Sequence, residues 1–89
     1  MQNFKDKVIV ITGAGSGIGQ ELAIQFAAKG AILALNDLKE ETLAETWEII
    51  PAEARGYMEA FDVGDREAVE KFTANVVTAL GRVDVVINN

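Results

Sequence analysis

Short apolar runs alternate along the chain with longer segments whose apolar residues recur at helical spacing. The apolar runs cover residues 7–12, 31–36, 56–62 and 83–88. The first run has no polar alternation, as is typical of a central parallel strand that is buried on both faces. The third run is a weaker strand pattern because Glu59 lies inside it, which favours an edge position in the sheet.

Three helices are predicted between these strands, at about 17–29, 39–50 and 65–80. Asp65 is the expected N-cap of the third helix. Trp47 shares a helical stripe with core residues and is assigned to packing instead of ligand stacking. A glycine or proline ends each helix: Gly30, Pro51 and Gly81.

The order of these elements is β-α-β-α-β-α-β, without a repeat or a linker. Such alternation implies parallel strands that are joined by right-handed helical crossovers, in the sheet order 3-2-1-4. The sequence therefore predicts an α/β fold, one half of a doubly wound sheet, as a single domain over residues 1–89. In this arrangement a ligand lies across the carboxyl ends of the strands, where strands 1 and 4 meet.

Composition removes several classes of function. The 89 residues carry a net charge of −6 without a cluster of Lys or Arg, so nucleic acid is not expected as a partner. The chain contains no Cys and no His, and a metal site is therefore not expected either. Without Cys the chain suits the reducing cytoplasm, so a cytoplasmic protein is expected. The polar N-terminus leads into an apolar run that is far too short for a signal sequence or a membrane span.

A glycine-rich stretch at residues 12–19 joins the first strand to the first helix. Glycine permits positive φ angles and leaves no Cβ between the backbone and a ligand, so a diphosphate can approach the first N–H groups of the helix. The positive end of the helix dipole favours that anion. The alternative is a tight turn that packs helix on strand and binds nothing. The candidate phosphate-binding residues are Gly13, Ser16, Gly17, Ile18 and Gly19.

The spacing of these glycines distinguishes between classes of dinucleotide-binding motif. No Gly-x-Gly-x-x-Gly register fits, because Ile18 and Gln20 occupy the positions of the third glycine. The stretch Thr12-Gly13-x-x-x-Gly17-Ile18-Gly19, together with Asp62-Val63 and Asn88-Asn89, closely resembles the short-chain dehydrogenase/reductase family over the whole chain. A longer, epimerase-like branch would have a glycine where Ser16 stands, so the resemblance is to the single-domain oxidoreductase branch. The resemblance implies the NAD(P)-binding N-terminal portion of a Rossmann fold.

Asp37 ends the second strand at the separation from the glycines where an acidic residue meets the adenosine ribose. Its carboxylate can accept hydrogen bonds from both ribose hydroxyls and would repel a 2′-phosphate. Leu38 supplies no compensating positive charge, and Lys39 is the only cation nearby, so NAD is favoured over NADP. The alternative role of Asp37 is to cap the second helix, and both roles can hold. Asn36 is interpreted as a turn residue.

By the resemblance, Asp62 meets the adenine amino group and Val63 lines the ring. Asn88 and Asn89 resemble the start of a segment that braces the sheet and contacts the adenosine ribose through its backbone. From position alone, Asp62 could equally form an Asx turn at a strand end, and the two asparagines could be polar residues that end a strand.

The catalytic residues of the family are a serine and a tyrosine four residues before a lysine, and none of them matches this chain. Tyr57 lies in a strand and is followed at the fourth place by Phe61, so it is not assigned as a catalytic acid. The resemblance thus implies the NAD(H)-binding portion, truncated before the catalytic half, of an enzyme that acts on a secondary alcohol or ketone, including 3-oxoacyl thioesters. The complete protein is expected to be a homo-oligomer. The alternatives are a non-catalytic dinucleotide-binding module and a structural half-Rossmann fragment.

Overall fold

Four parallel strands and three helices make up the computed structural model, which describes residues 3–89. The sheet has the order β3-β2-β1-β4, and every neighbouring pair is parallel. This confirms the predicted α/β half-sheet. The strands are β1 (Val8–Ile11), β2 (Ile32–Asp37), β3 (Arg55–Ala60) and β4 (Val85–Ile87), and the helices are α1 (Gly17–Ala28), α2 (Glu40–Ile49) and α3 (Arg66–Leu80).

The core has two layers, because alternate residues of the buried strands β1 and β2 face opposite sides of the sheet. Helices α1 and α2 cover one face, and α3 covers the other. Trp47 of α2 packs against the first layer, as the sequence predicted. The buried residues of the first layer include Ile9, Ile11, Leu33, Leu35 and Leu43, and those of the second are Val8, Val10, Ala34, Phe72 and Val76.

The ends of the elements follow local signals. The Asp65 carboxylate caps α3 by accepting from the Ala68 N–H at 3.2 Å, and Gly81 follows α3 with a φ of 80°. Strand β3 lies at the edge of the sheet, as Glu59 indicated. Pro51 does follow the end of α2, but it leads into a single 3₁₀ turn, Ala52–Ala54, that the sequence analysis did not predict.

Strand β4 is shorter than expected at its start. The Asp84 N–H donates to the Val8 carbonyl at 2.9 Å, and the Asp84 carboxylate accepts from the Val8 N–H at 2.9 Å. A side chain therefore replaces a carbonyl in the ladder, and the regular strand begins only at Val85. Among residues 3–89, no helix combines the length and the apolar character that crossing a bilayer requires.

Candidate nucleotide-binding site

The carboxyl ends of the strands meet at a cleft of about 190 Å³. Six residues that the sequence analysis singled out lie together here, although they come from four separate parts of the chain. Phe61 and Asn36 also line the cleft and were not predicted as site residues. The full lining is Gly13, Asn36, Asp37, Leu38, Phe61, Asp62, Val63 and Asn89. The remaining candidates, Ser16, Gly17, Ile18 and Gly19, lie at the start of α1.

Two glycines of the motif have backbone conformations that L side chains rarely adopt. The φ angles are 64° at Gly13 and 57° at Gly17. A Cβ added to Gly17 would meet no atom within 4 Å, so this Cα faces open space. The backbone at Gly17 is accessible to a ligand, as a phosphate-binding turn requires.

Gly19 has a different reason to be glycine. It is buried, and a Cβ there would overlap the Gly13 carbonyl oxygen and lie 2.8 Å from Nδ2 of Asn89. Its missing side chain lets α1 pack against the turn. For this glycine, close packing of helix on turn is therefore the observed role.

Gly15 was not among the predicted site residues, yet it lies directly against one of them. A Cβ on Gly15 would overlap the Asp37 carboxylate and lie 2.6 Å from Oγ1 of Thr42. The turn and the end of β2 are thus in direct contact. The sequence signal for this role was only that Gly15 lies inside the glycine stretch.

The N-terminus of α1 is open and carries no negative side chain. Ser16 is the N-cap residue, but its exposed side chain makes no capping hydrogen bond, and the first turn contains no Asp or Glu. The first N–H groups of a helix have no intrahelical acceptor. Ser16, Gly17 and Ile18 are exposed here, Ile18 to 70%, whereas Gly19 is buried. This end of α1 fits a diphosphate in both hydrogen bonding and charge.

Asp37 is the last residue of β2 and is half-buried. Its Oδ2 atom accepts a hydrogen bond from the Thr42 hydroxyl. The N-cap of α2 is Lys39, so the alternative that Asp37 caps this helix is wrong: the chain is still extended at Asp37, two residues before the cap. Beside Asp37, the Leu38 side chain is 63% exposed.

Asn36 is not the turn residue that the sequence suggested. It is 1% exposed within β2, and its Nδ2 atom lies 3.2 Å from the Asp37 carbonyl, 3.3 Å from that of Glu59 and 3.1 Å from that of Phe61. Two amide hydrogens are thus shared among three carbonyls at the ends of β2 and β3. This amide joins the strand that carries Asp37 to the strand that leads to Asp62.

The third part of the cleft follows β3. Oδ1 of Asp62 accepts from the Gly64 N–H at 2.8 Å, which is the Asx turn that position alone suggested. This bond occupies one carboxylate oxygen of an exposed side chain. Val63 is 53% exposed and presents an apolar surface at the mouth of the cleft.

The residues after β4 tie this strand to the glycine turn. The Asn89 N–H donates to the Thr12 hydroxyl at 3.1 Å, and Nδ2 of Asn89 donates to the Gly13 carbonyl at 3.2 Å. These bonds hold the glycine turn to the end of β4, whereas the resemblance implied that this segment braces the sheet and contacts the ribose. Asn88 instead lines a separate, mainly apolar cleft of about 210 Å³ between β4 and α3.

Two polar side chains, buried Thr46 and half-buried Gln20, support the turn on the side of α2. The hydroxyl of Thr46, which is fully buried on α2, donates to the Ala14 carbonyl at 2.7 Å and accepts from Nε2 of Gln20 at 3.0 Å. The Ala14 N–H donates to the Asn36 carbonyl at 2.8 Å. Both backbone groups of Ala14 are therefore satisfied, and the turn is held between α1, α2 and β2.

Tyr57 belongs to a different surface. Its hydroxyl donates to Oε1 of Glu59 at 2.7 Å. This hydrogen bond is the main cause, and desolvation the second, that raises the pKa of the phenol above its ordinary value. The ring packs against Phe72 of α3 with a centroid distance of 5.9 Å. Within residues 3–89, no three His, Cys, Asp or Glu side chains come together as metal ligands would.

An accessible glycine turn before an uncapped helix, with an acidic residue at the end of the adjacent parallel strand, is the arrangement typical of dinucleotide-binding α/β proteins. The model of one family, described as short chain dehydrogenase, matches residues 7–89. The chain belongs to this family.

Relatives and solved structures agree with this assignment. An uncharacterized oxidoreductase of Thermotoga maritima is 44% identical over 88 residues, which make up 98% of this chain and 34% of that protein. The meso-2,3-butanediol dehydrogenase of Serratia marcescens is 43% identical over 86 residues, or 97% of this chain and 34% of that protein.

The crystal structure of a short chain dehydrogenase/reductase from Burkholderia phymatum in complex with NAD matches with a TM-score of 0.87 and 34% identity, over 97% of this chain and 31% of that chain. The chain spans about a third of the length of each of these three proteins.

Proposed function

We propose that residues 1–89 form the N-terminal, NAD(H)-binding portion of an oxidoreductase that transfers hydride between nicotinamide and a secondary alcohol or ketone. The observation that carries the proposal is the position of Asp37, whose carboxylate lies against the glycine turn and lines the same cleft as Leu38 and Asp62. The NAD complex of the Burkholderia structure and the alcohol named for the Serratia relative support the class of cofactor and substrate.

The residues of the cleft fit a dinucleotide part by part. In this proposal the open N-terminus of α1 holds the diphosphate through backbone N–H groups and the Ser16 hydroxyl. The Asp37 carboxylate accepts hydrogen bonds from the ribose hydroxyls, Asp62 accepts from the adenine amino group, and Val63 lines the ring. The bound nicotinamide supplies the hydride acceptor or donor.

Charge favours NAD over NADP at this site. A 2′-phosphate would be placed beside the Asp37 carboxylate, and two like charges at such a distance repel each other. The neighbouring Leu38 is apolar and exposed, so it offers no compensating interaction.

Proton transfer is assigned in this proposal to groups outside the 89 residues. Tyr57 is bonded to Glu59 and packed on α3, and it does not line the cleft at the strand ends. Relatives about three times as long as this chain have room for a second half of the sheet. This chain would then contribute binding and orientation of the cofactor, while the remainder of the protein contributes the substrate pocket.

The assignment of Asp37 is tested in the complete protein with Asp37→Ala. We expect the Kd for NAD to rise about tenfold or more, because a charge-assisted hydrogen bond is lost, and the preference for NAD over NADP to fall. Calorimetric titration with each cofactor measures both. Glu45→Ala, which removes an exposed carboxylate from α2, is the matched control and should change neither value. An unchanged ratio of the two Kd values in Asp37→Ala would contradict the assignment.

The reaction is tested by following NADH formation from NAD and a series of secondary alcohols. The complete protein should reduce NAD with at least one of them, whereas the 89-residue chain should not. Binding of NAD by the complete protein without any turnover would favour the non-catalytic module instead.

A further inference from the structure

The Asp37 side chain is held by Thr42, which is not one of the proposed cofactor-binding residues. Thr42 lies in α2 and is half-buried, and its hydroxyl donates to Oδ2 of Asp37. The same hydroxyl oxygen lies 3.1 Å from the Lys39 carbonyl oxygen. A hydroxyl has one proton to give, and the charged carboxylate is the stronger of the two acceptors.

Gly15 lies against the same carboxylate oxygen that Thr42 contacts. A Cβ on Gly15 would overlap the Asp37 carboxylate and come within 2.6 Å of the Thr42 hydroxyl, so the glycine turn packs directly against the Asp37–Thr42 hydrogen bond. The hydrogen bond and the close approach of the turn limit the rotamers that are open to Asp37. Thr42 and Gly15 thus hold the orientation of this side chain at the cleft.

We infer that Thr42 is a positioning residue that sets the preference of this site for a dinucleotide with a free ribose 2′-hydroxyl. The inference rests on the proposed function, in which Asp37 is the ribose ligand. A carboxylate that is already oriented loses little side-chain entropy when it accepts from the ribose. Because the Thr42 hydrogen bond holds the side chain in this orientation, the carboxylate also keeps its charge in place against a 2′-phosphate.

The two effects act in opposite directions on the two cofactors, and this separates positioning from general support of the helix. If the carboxylate is released, the binding of NAD becomes weaker, because the ribose of NAD needs this acceptor. The binding of NADP does not become weaker, because the carboxylate repels the 2′-phosphate. A loss of local structure would weaken the binding of both NAD and NADP.

The test compares Thr42→Val, which keeps the shape and removes the hydroxyl, with Thr42→Ser, which keeps the hydroxyl. In the complete protein, Thr42→Val should raise the Kd for NAD about three- to tenfold and leave the Kd for NADP unchanged or lower. Thr42→Ser should retain the preference of the original protein. Thr78→Val, an exposed position on α3, is the matched control and should have no effect.

A double-mutant cycle shows whether Thr42 acts through Asp37. In the Asp37→Ala background, adding Thr42→Val should change the Kd for NAD by less than about twofold. The inference would be overturned if Thr42→Val raised the Kd for NAD and the Kd for NADP by the same factor. It would also be overturned if Thr42→Val raised the Kd for NAD equally in the original protein and in the Asp37→Ala background. An unchanged Kd for NAD in Thr42→Val, when Asp37→Ala does raise it, would overturn it as well.

Failure of the proposed function has a different signature, because Asp37→Ala itself would then leave the binding of NAD unchanged. Thermal melting of each variant separates loss of folding from loss of binding. If Thr42→Val does not fold, Thr42→Ala is measured against Thr42→Ser in the same cycle.

Discussion

The glycines of the turn satisfy different physical demands, although the motif presents them as one signal. Gly17 has an accessible Cα and a positive φ, while Gly19 and Gly15 are buried against other protein atoms. Only the first of these fits the expected approach of a diphosphate. The spacing in the sequence predicted the turn, but which side of each Cα faces protein depends on residues that are distant in the chain, such as Asn89 and Asp37.

Gly19→Ala should be more destabilising than Gly17→Ala. A methyl group at Gly19 would overlap the Gly13 carbonyl and should lower the free energy of unfolding by about 2–3 kcal/mol, as overpacking does. At Gly17 the space is open, and the cost of a positive φ alone is about 1 kcal/mol. Urea unfolding of the two variants gives the comparison, and equal losses would contradict the packing role of Gly19.

At the scale of elements, two polar side chains decide where strands begin and end. Asn36 joins the ends of β2 and β3, and Asp84 replaces a backbone acceptor before β4. Sequence reasoning missed both contacts, because Asn36 bonds to Glu59 and Phe61, which are more than twenty residues away, and the backbone partner of Asp84 is Val8, near the start of the chain. The hydrophobic pattern located the strands, but it carries no information on side chains that bond across them.

Asn36→Ala should destabilise the fold, because it removes the buried amide that donates to carbonyl groups of Glu59 and Phe61. Losing such a donor costs about 1–3 kcal/mol of the free energy of unfolding. The matched control is Asn75→Ala, which removes an exposed amide that donates to the Glu59 side chain and should cost little. Urea titration measures the two variants, and similar midpoints for both would show that the buried amide has no special role.

Asp84 makes the stability of the β4 start depend on pH. The Arg82 guanidinium at 2.6 Å and the Val8 N–H hold the pKa of Asp84 below its ordinary value in the folded state. A carboxyl group with a lowered folded pKa stabilises the protein above its unfolded pKa, and this contribution is lost as the pH falls through the folded value.

Asp84→Asn should therefore be less stable than the original chain near neutral pH, and the difference should shrink as the pH falls below about 4. Urea midpoints across this range provide the measurement. A difference that stays constant from neutral to acid pH would show that the ionised carboxylate contributes nothing beyond its shape.

Over the whole molecule, alternation of strand and helix was sufficient to predict the sheet order and the cleft at its carboxyl edge. Gly13, Asp37, Leu38, Asp62, Val63 and Asn89 meet there because parallel strands place their ends on one side. The supporting contacts of Thr42 and Gln20 were not predictable in this way, since they depend on how α1 and α2 pack on the turn. A hydrophobic pattern in the sequence indicates which face of a helix or strand is buried. It does not determine the angle at which that element packs against its neighbours.

One edge of the sheet presents an exposed apolar side chain. Strand β4 is an edge strand whose Val86 side chain is 56% exposed, next to the apolar cleft that Phe61 and Phe72 line. An exposed apolar edge favours pairing with another chain. The 89-residue chain should therefore self-associate as its concentration rises, and Val86→Lys should reduce this association.

Sedimentation velocity over a range of concentrations measures the effect. Thr78→Lys, which adds the same charge at an exposed position on α3, is the control and should not change the association. A monomer at every concentration would contradict the prediction for the β4 edge.

The amide of Asn36 has a consequence for the timing of ligand binding. Because it fixes the strand ends beneath Asp37 and Phe61 relative to each other, the two walls of the cleft are in place before a ligand arrives. A site of this kind does not wait for a conformational change, so related ligands meet it at similar rates. Discrimination between such ligands then lies in their dissociation rates and not in their association rates.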